Sequence, residues 1–361
     1  MGSGYITQRK IEKEDYSPFK GIVDDSLTEV TAEMLDGVTT ISSYAFYQCT
    51  NLTNVEIPNS VTSIEKNAFS SCTSLASITI PSSVTSISDS TFSGCTSLTS
   101  VTIPSSVTSI GNSAFSYCNA LTSVTIPNGV TSTGNSTFFN CRALTSVTIP
   151  SSVTSIGSHT FDNCRALTSV TIPNSVTSIG DHAFASCNAL TNVNIPNGLT
   201  RINEASFYYC RALTSITIPS TVTSIGKYAF GGCQALTSVN IPSGVTTIGE
   251  TAFTDCDSLT SVTIPSSVTS IGIQAFSGCD SLASVTIKDG ATGIRDYAFY
   301  WCEALQSVTV EAIIPPVIGT GVFSRNHPNS VIYVPSESVE TYKTATNWST
   351  YASRIQAIPS T

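Results

Sequence analysis

The residues of this chain whose type and spacing could carry chemistry are its twelve cysteines, each 23 residues after the one before. They are Cys49, Cys72, Cys95, Cys118, Cys141, Cys164, Cys187, Cys210, Cys233, Cys256, Cys279 and Cys302. A zinc or dithiol redox site needs sulfur atoms that converge on one point, as in a Cys-x-x-Cys pair. No such pair exists, and three histidines, His159, His182 and His327, are too few to form a matching ladder. We therefore expect no metal site.

A 23-residue period instead predicts that the cysteines stack in a line. Parallel strands about 4.8 Å apart place successive Cβ atoms beyond the spacing that a disulfide prefers. A Phe stands three residues before each Cys and a Leu three residues after it. We expect buried free thiols that pack as small hydrophobes. The structural ladder is predicted to include Phe115, Phe138, Phe161, Phe184, Cys118, Cys141, Cys164 and Cys187.

Each 23-residue unit contains the elements that would position this ladder. In one copy, residues 100–103 read Ser-Val-Thr-Ile, an alternation of β-branched residues typical of a strand with one buried face. Pro104 has no backbone donor and ends the strand. Val107 and Ile110 then predict a second short extended segment, and residues 114–118 fit one turn of helix.

One unit alone buries too little apolar surface to offset the entropy of ordering its backbone. Stability requires neighbouring units that share a core and pair their strands. The period therefore predicts a solenoid of twelve 23-residue repeats. We expect a right-handed coil, because parallel crossover connections nearly always have that hand.

The repeated pattern Leu-x-x-Val-x-Ile-Pro-x-x-Val-x-x-Ile-Gly-x-x-Ala-Phe-x-x-Cys resembles the leucine-rich repeats of BspA-like bacterial surface proteins. The resemblance covers about residues 38–310. It implies a leucine-rich-repeat solenoid, mostly β within an α/β-type superhelix. In such a solenoid a parallel sheet lies on the concave face and short helical turns lie on the convex side. It also implies a role in adhesion or protein–protein contact.

The ends of the chain depart from the repeat. Residues 1–26 are predicted to be a polar N-terminal arm, and residues 27–313 the solenoid, with an irregular first repeat acting as a cap. Residues 314–361 are predicted to hold a degenerate repeat and a capping helix. In that last segment Trp348 is expected to cover the open core of the final repeat.

Composition excludes several functions. The net charge of −9 disfavours a nucleic-acid partner, which needs a basic patch. No apolar run is long enough for a membrane span, and residues 1–20 are too polar for a secretory signal. No phosphate-binding glycine loop, nucleophile elbow or catalytic acid–base pair occurs. We expect a non-enzymatic protein with no cofactor, no catalytic residues and no small-molecule substrate.

The candidate binding residues lie where the copies differ from one another. The position after each Cys carries Arg in three copies of the middle of the array and acidic residues in the last three. Tyrosines stand two and one residues before the Cys of one of these copies. Arg and aromatic residues are enriched in interface hot spots. The candidate patch is Arg142, Arg165, Arg211, Tyr208 and Tyr209.

These observations favour a binding protein that presents an extended repeat surface for adhesion or protein–protein recognition. The expected partner is a protein or a surface glycan of a host or neighbouring microbe, and the expected location is the cell surface or the extracellular space. One alternative is a structural or receptor-binding component of a phage tail or similar particle, which would place the chain in a virion. Another is a cytoplasmic scaffold.

Overall fold

The computed structural model describes residues 27–360, which form two compact units divided between Ala166 and Leu167. Both units consist of short parallel strands joined by tight turns. The predicted N-terminal arm, residues 1–26, lies outside the described residues.

The first unit contains eleven of the strands, each of them two or three residues long. They are β1 (Glu29–Val30), β2 (Thr40–Ile41), β3 (Asn54–Val55), β4 (Ser63–Ile64), β5 (Ser77–Thr79), β6 (Ser86–Ile87), β7 (Ser100–Thr102), β8 (Ser109–Ile110), β9 (Ser123–Thr125), β10 (Ser146–Thr148) and β11 (Ser155–Ile156). The irregular first repeat joins this array, because β1 pairs in parallel with β3.

The second unit contains the remaining strands and the helical elements of the described chain. Its strands are β12 (Ser169–Val170), β13 (Ser178–Ile179), β14 (Asn192–Val193), β15 (Arg201–Ile202), β16 (Ser215–Thr217), β17 (Ser224–Ile225), β18 (Ser238–Asn240), β19 (Thr247–Ile248), β20 (Ser261–Ile264), β21 (Ser270–Ile271), β22 (Ser284–Ile287), β23 (Gly293–Ile294), β24 (Ser307–Val310), β25 (Val317–Ile318), β26 (Val331–Val334) and β27 (Ile355–Ala357). The α-helix α1 (Val339–Thr344) lies between two 3₁₀ helices, Ser336–Ser338 and Trp348–Arg354.

Strands pair in parallel with the equivalent strand of the next coil, in the register that the repeat predicts. In β20 and β22, for example, Ser261 pairs with Ser284 and Val262 with Val285. The two valines are buried, and the serine before each of them is exposed. Because side chains alternate across a strand, this register places the buried valines of neighbouring coils side by side in the core. Each unit is therefore a parallel leucine-rich-repeat solenoid, as predicted.

The segment before each cysteine is built from linked β-turns. In one coil the N–H groups of Ser116 and Cys118 donate within the coil to the carbonyls of Ser113 and Phe115, at 3.1 and 3.3 Å. The N–H groups of Phe115 and Tyr117 instead donate to carbonyls of the next coil, at 2.8 and 2.7 Å. Ser113 and Tyr117 have positive φ, which interrupts any helix. The chain turns here as expected, but through β-turns instead of the helical turn predicted around Phe115.

Inside the coils, stacked phenylalanines and a line of thiols form the core. Phe230 is fully buried, and its ring centroid lies 5.6 Å from that of Phe207 and 5.3 Å from that of Phe253. All twelve cysteines are buried and free of disulfides. The thiol of Cys233 donates to the carbonyl of Phe207 in the preceding coil, at 3.3 Å. The small thiol thus fills space beside the rings and satisfies a buried carbonyl.

The last coil is closed by side chains that replace the backbone donors of a further coil. Three of these side chains donate to backbone carbonyls of the preceding segment. Tyr342 Oη donates to Ala312 at 2.7 Å, Asn347 Nδ2 to Ile318 at 2.7 Å, and Trp348 Nε1 to Pro316 at 2.8 Å. The N–H of Phe323, whose counterpart Phe299 donates to the next coil, donates here to Tyr351 Oη at 3.2 Å. Trp348 is fully buried, so it covers the core as expected.

Candidate functional site

The candidate residues lie on the turns that follow the cysteines. Because each Cys points into the core, the residue after it turns outward, and Arg142, Arg165 and Arg211 are all exposed. Arg142 and Arg165 belong to the first unit, whereas Arg211 belongs to the second with Tyr208 and Tyr209. Each unit therefore holds one part of the predicted patch.

In the first unit, asparagines hold the two arginines. Asn140 and Asn163 precede Cys141 and Cys164 and have φ of 62° and 63°, a left-handed conformation that Asn tolerates better than most residues. Their side-chain oxygens accept hydrogen bonds from the arginines two positions later. Arg142 Nε donates to Asn140 Oδ1 at 3.0 Å, and Arg165 Nε donates to Asn163 Oδ1 at 2.7 Å.

These amides also bond to one another from coil to coil. Asn163 Nδ2 donates to Asn140 Oδ1, and Asn140 Nδ2 donates to Asn119 Oδ1 at 3.3 Å. We call these residues the Asn–Arg ladder: Asn119, Asn140, Arg142, Asn163 and Arg165. Neither arginine forms an ion pair with a carboxylate of the described residues. The ladder thus presents two oriented positive charges, neither of them in an ion pair within residues 27–360.

In the second unit, three tyrosines and two cations pack together. The ring centroid of Tyr208 lies 4.1 Å from that of Tyr209 and 5.2 Å from that of Tyr228 in the next coil. The guanidinium of Arg211 lies 5.2 Å from the Tyr209 centroid, and the ammonium of Lys227 lies 5.2 Å from the Tyr228 centroid. Both distances suit cation–π contacts. We call this group the tyrosine cluster.

Two glycines of the next coil make room for the tyrosine cluster. A Cβ at Gly231 would lie 3.2 Å from Tyr208 Cδ2, and a Cβ at Gly232 would collide with the ring of Tyr209. Burial, followed by the interaction with the Tyr209 side chain, raises the pKa of Tyr208 above its usual value. The phenol of Tyr208 therefore remains a neutral donor and acceptor at physiological pH.

Several members of these clusters carry weak sequence signals. The tripeptide Asn-Cys-Arg occurs in two successive coils, at 140–142 and 163–165, and this repetition could have indicated that the two residue types act together. Tyr228 and Lys227 have no comparable pattern, because they reach the cluster only through stacking of the coils.

The acidic end of the same face differs in character. Burial and the neighbouring carboxylates of Asp280 and Asp255 raise the pKa of Asp257. Two coils further on, Trp301 is 47% exposed and donates from Nε1 to Glu303 Oε1 at 2.8 Å. Within residues 27–360, no group of three or more His, Cys, Asp or Glu side chains is placed to hold a metal ion.

The repeat matches a known family. The profile of the BspA type leucine-rich repeat region, which spans six copies, matches residues 24–145, 131–260 and 246–356. No curated protein matches the chain. No helix in the described part of the chain is long and apolar enough to cross a membrane.

Three solved structures similar to this chain come from bacteria. A leucine-rich repeat protein from Bacteroides ovatus is 30% identical with a TM-score of 0.68, over 89% of this chain and 88% of that one. A leucine-rich cell surface protein from Faecalibacterium prausnitzii is 35% identical with a TM-score of 0.54, over 76% and 83%. A leucine-rich repeat protein from Eubacterium ventriosum is 27% identical with a TM-score of 0.54, over the same shares.

Proposed function

The chain belongs to the BspA-type leucine-rich-repeat family, and from this membership and its exposed clusters we propose that it is a non-enzymatic binding protein for adhesion or protein–protein recognition. We propose further that it acts at the bacterial surface or after secretion. The similarity to a protein named as a cell surface protein supports this location.

One observation carries the proposal of a binding surface, namely the tyrosine cluster. Tyr208, Tyr209 and Arg211 are of the residue types that dominate binding energy at protein interfaces. Their rings are held against each other and against the glycines of the next coil, so little conformational entropy remains to be lost on binding. A rigid aromatic patch with cations at its edge is suited to a protein partner.

The position of Tyr209 argues against a purely structural role. Its φ is 56°, a conformation that costs a bulky residue more than Asn or Gly. Asn140 and Gly232 occupy equivalent positions in other coils, so the fold accepts smaller residues there. We infer that the tyrosine is present for its contacts.

The test is a binding measurement on variants that keep the backbone conformation. Proteins captured by the wild-type chain from host and microbial surface extracts would be purified, and their Kd values measured by surface plasmon resonance. Tyr209→Asn combined with Arg211→Gln should weaken binding at least tenfold, which corresponds to about 1.4 kcal/mol. The melting temperature should not fall, because Asn suits positive φ.

The matched control is Tyr297→Asn combined with Arg201→Gln. Tyr297 is a partly exposed tyrosine in the same unit, also with positive φ, and Arg201 is exposed on β15. This control should bind like the wild type. Equal binding by the cluster variant and the wild type would remove the tyrosine cluster as the binding surface.

A further inference from the structure

We propose that the Asn–Arg ladder binds an acidic saccharide, with the two guanidiniums taking its carboxylate or sulfate group. The inference rests on the proposed function, since it assigns a ligand class to part of the same turn surface. It concerns the first unit alone, where all the residues named for the site lie.

The hydrogen bonds of the ladder fix the orientation of both guanidiniums. Arg142 Nε and Asn163 Nδ2 donate to the same atom, Asn140 Oδ1, and Arg165 Nε donates to Asn163 Oδ1. Two shared amides therefore connect the arginines of neighbouring coils. Each guanidinium uses Nε for its anchor, and its two terminal nitrogens remain for a ligand. Such a fork matches the two oxygens of a carboxylate or sulfate.

The anchor is rigid because Asn140 is only 2% exposed. An exposed arginine ordinarily loses side-chain entropy when it binds an anion. Here a nearly buried amide has already ordered Arg142, so less of that cost remains at binding. Neither arginine has an ion-pair partner in the described part of the chain, so the like charges on adjacent coils repel each other and a bound anion would relieve this repulsion.

An aromatic ring beside the ladder favours a saccharide over an acidic peptide. Tyr117 stands 23 residues before Asn140, in the preceding coil, and its N–H donates to the carbonyl of Phe139 at 2.7 Å. Its side chain is 46% exposed, and its ring meets that of Phe139 edge-on at 5.3 Å. The apolar face of a pyranose ring can stack on an exposed tyrosine while its charged group reaches the guanidiniums. A simple anion or an acidic peptide would leave the tyrosine unused.

Isothermal titration calorimetry on the full chain at physiological ionic strength tests the ligand class. The probes are galacturonic acid oligomers, which carry only carboxylates, sulfated dextran oligomers, neutral dextran oligomers and oligoglutamate. We expect at least one of the first two to bind with Kd below about 1 mM. Which of them binds distinguishes a carboxylated sugar from a sulfated one. Neutral dextran should not bind, and oligoglutamate should bind at least tenfold more weakly.

Three variants test the site. Arg142→Gln combined with Arg165→Gln should lower saccharide affinity at least tenfold. Asn163→Gly retains both charges and suits the positive φ, yet it releases Arg165, so affinity should still fall severalfold. Tyr117→Asn should lower affinity for the saccharide but leave binding of oligoglutamate unchanged. The control Arg201→Gln with Arg295→Gln removes the same charge from exposed residues elsewhere and should bind normally.

Three outcomes would overturn the inference. One is no saccharide binding below about 1 mM. Another is equal binding of oligoglutamate, which would indicate an acidic peptide ligand. The third is an equal loss of affinity in the control variant, which would indicate a nonspecific charge effect. In each case protein capture by the tyrosine cluster, measured with Tyr209→Asn and Arg211→Gln, tests the proposed function separately.

Discussion

Replacing Trp348 tests whether the C-terminal side chains act as a substitute for a further coil. The indole is fully buried, its Nε1 donates to the carbonyl of Pro316 at 2.8 Å, and its ring lies 4.9 Å from Tyr342 and 6.0 Å from Phe323. Trp348→Phe retains an aromatic ring but leaves that carbonyl without its donor, which costs about 1–3 kcal/mol. Trp348→Ala also leaves a ring-sized cavity, for a total of about 4–8 kcal/mol.

The two variants should open the end of the array before the rest of it. In the wild type, Arg354 Nη1 donates to the carbonyl of Phe323 at 3.0 Å, which protects the backbone near Arg354 from trypsin. Urea titration would compare trypsin cleavage after Arg354 with the loss of far-UV circular dichroism. We expect cleavage to begin at lower urea in Trp348→Phe, and at lower urea still in Trp348→Ala. A Trp348→Phe variant within about 0.5 kcal/mol of wild type would refute the hydrogen-bond argument.

Three further predictions concern the core and the acidic end. Phe230→Ala should cost about 3–5 kcal/mol by urea unfolding, because the ring is buried between two others; a loss below about 1 kcal/mol would mean that it is not a core residue. Burial raises the pKa of Cys141 to about 12, so the thiol should resist iodoacetamide at pH 8 until urea unfolds the chain; rapid labelling of the folded protein would contradict its burial. The raised pKa of Asp257 means that the folded chain binds this proton more tightly than the unfolded chain, so stability falls as pH rises above 3.8. Asp257→Asn should therefore raise the melting temperature at pH 7 and not at pH 3. Equal melting temperatures of the variant and the wild type at pH 7 would show that the ionised Asp257 does not destabilise the fold.

The sequence predicts the coil because its buried residues repeat at one spacing. Phe115, Cys118 and Leu121 recur 23 residues later as Phe138, Cys141 and Leu144, and parallel register alone places each of these beside its counterpart. Strand composition then separates the core face from the solvent face. The backbone conformation of the turns is harder to predict from the sequence. Tyr117 and Asn140 share a positive φ although their side chains have little in common, so the residue types at this position do not predict its backbone conformation.

The sequence likewise predicts the candidate site and the C-terminal cap only in part. The exposed arginines follow from their position after a buried cysteine, but their anchors depend on hydrogen bonds between side chains two residues apart and one coil apart. Trp348 stands out as a large apolar residue near the end of the array. The role of Asn347 cannot be read from the sequence in this way. Its partner is the backbone carbonyl of Ile318, and the residue type at a position does not show whether its carbonyl lacks a donor.

The central claim is that each coil is stabilised by the coils stacked on it, in a fixed register of 23 residues. Deleting residues 215–237 removes one whole coil and joins Thr214 to Ser238, the residue that pairs with Ser215. Deleting residues 215–226 removes about half a coil and shifts every later apolar residue out of register. Thermal unfolding followed by circular dichroism should show a cooperative transition close to that of the full chain for the first deletion, and loss of the folded state for the second. Equal damage by both deletions would contradict the account.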